Sequence, residues 1–311
     1  MATLYGFAAV LMWALLALFT ARSGAVPPFQ LNAMTFAVGS LVGIVALWVR
    51  GTPLRVFRQR PAVWLVGVGG LFGYHALYFA ALRRAPAAEA SLIAYLWPLL
   101  IVLGSALLPG ERLRWYHAMG ALLGLGGAAL IIADRGGLDF SQRYAAGYGL
   151  ALCAAFFWSS YSLASRRFSS VPSEVVTGFC LGTALLSLPV HLAFETTVWP
   201  AGAGEWLAVL GLGLMPVGAA FYVWDHGVKH GDIQVIGASS YAAPLLSTLI
   251  LVAAGETRMS ATILSAAVLI TTGAVLAALP LFARLVRPRS PDGPTRNPNG
   301  PKHIGEKSES I

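Results

Sequence analysis

Residues 73–79 read Gly-Tyr-His-Ala-Leu-Tyr-Phe, an imidazole between two phenols inside an otherwise apolar run. Tyr74 and Tyr78 are four apart and share one face of a helix. Further pairs punctuate the apolar chain: Tyr95 and Trp97, Trp158 and Tyr161, Ser239 and Tyr241. Rings with polar tips suit a ligand that has a flat apolar body and a few hydrogen-bonding groups. Offset or edge-to-face ring pairs contribute roughly 0.5–1.5 kcal/mol beyond burial, weak enough for release after binding. Tyr74, His75, Tyr78, Tyr95, Trp97, Trp158, Tyr161, Ser239 and Tyr241 form the candidate binding set. Ser91, Ser159, Ser162 and Ser240 are further polar candidates, although hydroxyls in membrane helices often bond back to their own helix.

Each candidate has a plainer competitor. An interfacial aromatic belt accounts for Trp48, Trp64, Trp115, Trp199 and Trp206 near the ends of apolar runs, but poorly for Trp13, Trp97 and Trp158. An ionisable group inside an apolar span is a functional candidate by default, and His75 is the deepest; its competitor is a neutral imidazole tying two helices together. Glu89 caps a helix start or meets a ligand. Asp225 and Lys229, four apart, read as a local ion pair, with His226 and His230 interfacial. Glu111 and Glu256 read as structural turn residues. An intramembrane enzyme would need a Ser–His or paired-Asp constellation, and no such cluster accompanies His75 or Asp225. Cys153 and Cys180 lack metal-ligand spacing. No GxxxxGK[ST] loop is present, and no cofactor is expected.

The elements that must position these residues follow from composition. Of the 311 residues 57% are hydrophobic and 11% charged, with a mean hydropathy of +0.70; a soluble chain carries about a quarter charged. Ten apolar runs are expected to span a bilayer: 2–20, 28–49, 61–82, 87–108, 113–133, 146–166, 173–193, 204–228, 233–254 and 260–283. The first lacks a basic leader and reads as an uncleaved span. Residues from about 285 are rich in Pro, Gly, Ser and charge and read as a disordered tail. The net charge of +8 reflects topology rather than nucleic-acid binding. Fifteen of the 21 Lys and Arg fall on the side holding Arg50, Arg55, Arg58, Arg60 and the tail. That side is expected to be cytoplasmic, with both termini on it.

The two halves repeat. Trp13 and Trp158, Arg22 and Arg167, and Pro27 and Pro172 each lie 145 apart, and Tyr95-Leu-Trp-Pro98-Leu-Leu resembles Tyr241-Ala-Ala-Pro244-Leu-Leu. Gly110-Glu111 and Gly255-Glu256 close the matched runs. Five spans per half invert the second copy. The expected fold is an all-α polytopic membrane protein, ten transmembrane helices in a 5+5 inverted-topology repeat around a central cavity. Residues 1–135 and 146–283 form the repeats, 136–145 a linker, and 284–311 a cytoplasmic tail. Many secondary transporters are built this way, with the substrate near the midplane. Pro98 and Pro244 are expected to kink spans four and nine, freeing the carbonyls of Ala94 and Ser240. At 100° per residue Tyr95 and Trp97 stand about 200° apart, so both face one axis only if the backbone turns between them. The pairs Gly39/Gly43, Gly120/Gly124 and Gly178/Gly182 are expected to pack within the bundle, leaving a monomer.

Ten spans, an inverted repeat, and Pro-Leu-Leu followed by Gly-Glu in each half resemble the drug/metabolite transporter superfamily in its EamA branch. The resemblance covers residues 2–283. Within that branch, Tyr74-His75-Ala76-Leu77-Tyr78 and Tyr95-Leu96-Trp97-Pro98 are similar to the bacterial aromatic amino acid exporters. The resemblance implies a bacterial inner-membrane carrier that exports aromatic amino acids and related amphiphiles by alternating access. A broader exporter of aromatic cations is the alternative. Its partners are then the bilayer and a small-molecule substrate, without nucleic acid.

Overall fold

The computed structural model describes residues 1–136, 138, 140–255 and 258–279. Glu256 and the proposed tail, with its six cations, lie outside the described residues. Every regular element among the described residues is helical. Eight helices are long and apolar enough to cross a membrane: α1 (Ala2–Arg22), α2 (Pro28–Val49), α3 (Pro61–Leu82), α4 (Ala87–Leu107), α5 (Trp115–Gly136), α7 (Ser173–Phe194), α8 (Ala203–His230) and α9 (Ile233–Ala253). Two more helices complete the chain order. One, α6 (Ala145–Arg167), is 23 residues long but less apolar, because Ser159, Ser162, Ser165, Arg166 and Arg167 sit in its second half. The other, α10 (Ala261–Ala277), is apolar and 17 residues long. The chain is a multi-pass membrane protein.

Helix starts obey local chemistry. Pro28 and Pro61 occupy the first turns of α2 and α3, where a missing N–H costs nothing. Asp232 and Ser260 cap α9 and α10 by accepting from Val235 N and Ile263 N. The helix pairs α2 with α7, α3 with α6, α1 with α8 and α5 with α10 make the main contacts. Where α2 crosses α8, Gly39 meets Gly218, and a Cβ on Gly39 would fall 2.9 Å from the Gly218 Cα. Gly120 packs on α10, and Gly178 packs on Trp64. All three glycine pairs therefore serve contacts within the chain.

Four helices are interrupted. Leu15 divides α1, and Tyr95–Leu96 divides α4. A π-turn at Met215–Ala219 sits within α8, and Ser240–Tyr241 divides α9. The breaks in α4 and α9 precede Pro98 and Pro244 by two to four residues, and each proline lies in the first turn of the resumed helix. The prolines thus begin new half-helices instead of kinking continuous ones, the arrangement their missing donor favours. The interruptions in α1 and α8 have no counterpart in α6 and α3, which run unbroken.

Candidate substrate cavity

All four interrupted helices line one cavity at or beside their breaks. Its innermost chamber, about 150 Å³, is lined by Trp13, Leu16, Tyr74, His75, Tyr78, Tyr95, Trp97, Trp158, Pro216, Val217, Phe221 and Ala243. Two larger spaces share its walls. One, of about 390 Å³, extends between the starts of α4 and the second half of α9 past Ser91 and Ser247. The other, of about 430 Å³, extends past Asn32 and Phe79 to Ser23 and Gly24 in the α1–α2 connection. The cavity therefore opens at the end carrying the α1–α2 and α3–α4 connections. No Asp, Glu, Lys or Arg is among the residues that line these three spaces.

The floor is four indoles. Trp13, Trp97, Trp158 and Trp224 lie within 4.9–6.1 Å of one another in all six pairings. Trp224 is fully buried. Trp13 Nε1 donates to Pro216 O at 3.0 Å, satisfying a carbonyl in the π-turn that would otherwise face an apolar interior. Trp224 Nε1 donates to Ser162 Oγ at 3.2 Å, and that hydroxyl donates to Trp158 O. Two of the four indoles, Trp13 and Trp224, are thereby fixed by hydrogen bonds as well as by packing.

One wall is the ring ladder of α3. Tyr74 and Tyr78 stack 5.9 Å apart, 8° from parallel, and Tyr74 packs on Trp158 at 5.5 Å. The Tyr78 hydroxyl is 2.8 Å from Ser91 Oγ, which ties α3 to α4. His75 Nδ1 lies 2.7 Å from Leu71 O. A carbonyl only accepts, so Nδ1 carries the hydrogen, and in the neutral ring Nε2 is left as an acceptor. Phe36 meets the imidazole edge-on at 5.1 Å and stacks on Phe221.

Six of the nine residues singled out from sequence thus meet at one chamber: Tyr74, His75, Tyr78, Tyr95, Trp97 and Trp158. Tyr95 and Trp97 both line it because the helix breaks between them, which removes the 200° separation of a regular helix. The other three stand elsewhere. Tyr161 is buried, packed against Trp158 and Gly70. Ser239 is buried in the first half of α9. Tyr241 is fully buried, and its hydroxyl accepts from Leu99 N at 3.2 Å. That bond joins the break in α9 to the break in α4. Ser159, Ser162 and Ser240 donate to carbonyls of their own helices, whereas Ser91 faces the cavity. Trp64 leaves the interfacial set, since it packs between Phe57 and Phe179; Trp48 and Trp115 remain exposed.

Phe221 and Trp13 complete the aromatic lining beyond the sequence-derived set, with Trp224 and Phe36 fully buried behind it, against the indoles and Phe221. Phe221 and Trp224 are three apart on α8, the same signal that marks α3.

Polar clusters brace both ends. At the open end the Glu195 carboxylate accepts from Phe29 N and Gln30 N at the start of α2 and from Arg83 Nη2 at 2.7 Å, and it meets His191 Nδ1 at 3.0 Å. At the closed end Arg166 donates to Lys229 O at 2.6 Å and Gly231 O at 3.0 Å and pairs with Glu111. Asp225 and Lys229 form a buried pair at 2.7 Å, extended by Ser173 Oγ to Asp225 and by Lys229 Nζ to Val171 O.

The EamA-like transporter family profile matches residues 1–133 and again 145–279. The chain is an EamA-like transporter. Among its relatives, "Aromatic amino acid exporter YddG" of Ancylobacter novellus is 57% identical over 279 residues, 89% of this chain and 97% of that one. YddG of Salmonella typhimurium is 25% identical, over 88% and 96% of the two chains. A "Probable terminal-alkyne amino-acid exporter" of Streptantibioticus cattleyicolor is 27% identical, over 77% and 83%. A crystal structure with 56% sequence identity superposes with a TM-score of 0.86, covering 89% of this chain and 97% of that one. The EamA-like transporter shares with these relatives nearly their whole length.

Proposed function

We propose that this transporter exports aromatic amino acids and related amphiphilic metabolites across a bacterial inner membrane by alternating access. The single observation that carries the substrate class is the chamber itself: stacked tyrosines and three indoles, backed by a fourth, around a space whose wall holds no fixed charge. A flat ring packs between such faces, and a zwitterion needs no full counter-charge. Aromatic faces also attract cations, so the chamber alone does not separate the two readings, and the broader exporter of aromatic cations is the second one. The name of the 57% identical relative favours the amino acid reading.

The architecture we propose is ten spans in two inverted five-helix repeats, residues 1–135 and 146–283, with α6 and α10 crossing the membrane alongside the eight longer apolar helices. Two matches of the family profile support it. So does the mirrored packing of α3 on α6 and α8 on α1. The excess of Lys and Arg on the side of the α2–α3 connection makes that side cytoplasmic. The open end then faces the periplasm, and the conformation is outward-open, with the indole floor and the Arg166 cluster closing the inner side. Substrate contacts fall to Tyr74, His75, Tyr78, Tyr95, Trp97 and Trp158, with the half-helix joints of α4 and α9 as hinges. The chain works as a monomer and needs no cofactor.

Flux in proteoliposomes tests this reading. Labelled tryptophan and phenylalanine should move down their gradients, threonine more slowly, and a planar aromatic cation should compete weakly. Transport of the cation in preference to tryptophan would replace the substrate claim.

A further inference from the structure

At the end opposite the cavity mouth, a separate crevice of about 590 Å³ opens between α1, α2, α7 and α8. Its two levels differ in chemistry. The deeper level is mostly apolar, with Val42, Ala46 and Leu47 of α2 facing Ala219 and Val223 of α8; its Tyr222 hydroxyl is engaged with Gly39 O and Thr177 Oγ1. The rim is polar, with Arg50 at the end of α2, His226 and His230 at the end of α8, Ser169 and Ser170 between α6 and α7, and Ser173 at the start of α7. Glu174 is the acid among the lining residues. It stands 3.9 Å from Arg50, whose side chain stays 70% exposed. The nearby charges of Asp225 and Lys229 are already matched to each other.

Comparison of the two ends shows what the rim lacks. Arg50 and Glu195 are 145 residues apart, the spacing that relates Trp13 to Trp158. At the open end Glu195 supplies an anion that gathers two α2 amides, Arg83 and His191. At the closed end the corresponding position is a guanidinium, with imidazoles and hydroxyls around it. One end gathers its donors on a buried anion; the other leaves Arg50 largely exposed, with Glu174 only at the 3.9 Å edge of ion-pair reach. The flank of α2 beside the crevice exposes Leu41, Ile44, Val45 and Trp48, a surface suited to acyl chains, so a ligand reaches the crevice from the bilayer.

We propose that this crevice binds an anionic phospholipid from the leaflet on that side. Its phosphate sits at Arg50, His226 and the Ser169 and Ser170 hydroxyls, and one acyl chain lies along Val42, Ala46 and Val223. A guanidinium matches phosphate geometry by presenting paired donors, and basic pockets between membrane helices recognise lipid headgroups on the same principle. The assignment rests on the two-level chemistry of the crevice and does not require the transported substrate to be aromatic.

Native mass spectrometry of the purified full chain, titrated with phosphatidylglycerol or phosphatidylcholine of identical acyl chains, tests it. The first phosphatidylglycerol should bind about tenfold tighter than phosphatidylcholine, and Arg50→Gln with His226→Asn and His230→Asn should bring the two within about twofold. Ala46→Trp, an exposed position, should block the acyl slot and weaken both lipids. Arg55→Gln with Arg58→Gln, exposed on the same side, should leave the preference intact. Equal binding of the two lipids overturns the proposal, as does a preference that survives both the triple variant and Ala46→Trp. Displacement of the lipid by free tryptophan also overturns it, because the crevice would then belong to the transport path.

Discussion

Tyr241→Phe removes one oxygen atom from the joint between α4 and α9. In the parent the hydroxyl accepts from Leu99 N at 3.2 Å. Leu99 sits in the first turn of the resumed half of α4, where a helix offers its own amides no acceptor. Tyr241 is 0% exposed, so water does not take the vacated place. A neutral hydrogen bond nets about 0.5–1.5 kcal/mol, and stranding a buried donor raises the loss to about 1–3 kcal/mol. Taking about 2 kcal/mol, the unfolding equilibrium constant should rise roughly 30-fold, since each 1.4 kcal/mol is a factor of ten. Equilibrium unfolding in mixed micelles, followed by far-ultraviolet circular dichroism, reads that change directly. A loss below about 0.3 kcal/mol, within the usual additivity error, would refute the view that this bond holds the two half-helix joints together.

Asp225→Asn should cost about 3–5 kcal/mol by leaving Lys229 charged and buried, and adding Lys229→Met should recover most of it; unfolding of the single and double variants checks both. Glu195→Gln should lose about 1.5–3 kcal/mol, because charge-assisted bonds to Arg83 and the α2 amides weaken. A matching loss in Arg83→Gln, with little further loss in the double variant, would locate the effect in that link. Arg166→Gln removes the donor that holds Lys229 O and Gly231 O, and should make a cysteine placed at Val228 react faster with a polar thiol reagent.

The ends of the helices are legible from apolarity, proline and charge: α2 and α3 begin at Pro28 and Pro61 and end at Val49 and Leu82, where the pattern places them. The middle of the helices is less so. Regular helical geometry separates Tyr95 from Trp97, and only the break at Tyr95–Leu96 turns both to one chamber. The repeat pairs Tyr241 with Tyr95 and both stand in joints, yet only Tyr95 lines the chamber, because symmetry of sequence does not extend to which side of a half-helix meets the cavity. Trp224 belongs to the floor although it stands beside a charged pair near a helix end. Glu195 falls just past the apolar run 173–193 and carries no motif of its own; its partners Arg83 and Phe29 are 112 and 166 residues away, a separation no local pattern encodes. The composition of the cavity was readable, but its closure and bracing depend on long-range contacts.

The central claim is that the chamber of stacked tyrosines above four indoles is where an aromatic substrate binds. Tryptophan flux in proteoliposomes of the parent, Tyr78→Ala and Trp158→Ala, with Trp48→Ala as an exposed aromatic control, tests it most directly. Each chamber variant loses at least one ring contact, worth roughly 0.5–1.5 kcal/mol beyond burial, so its half-saturating tryptophan concentration should rise several-fold while Trp48→Ala matches the parent. Parent-like flux and saturation in both chamber variants, at equal protein incorporation, would contradict it.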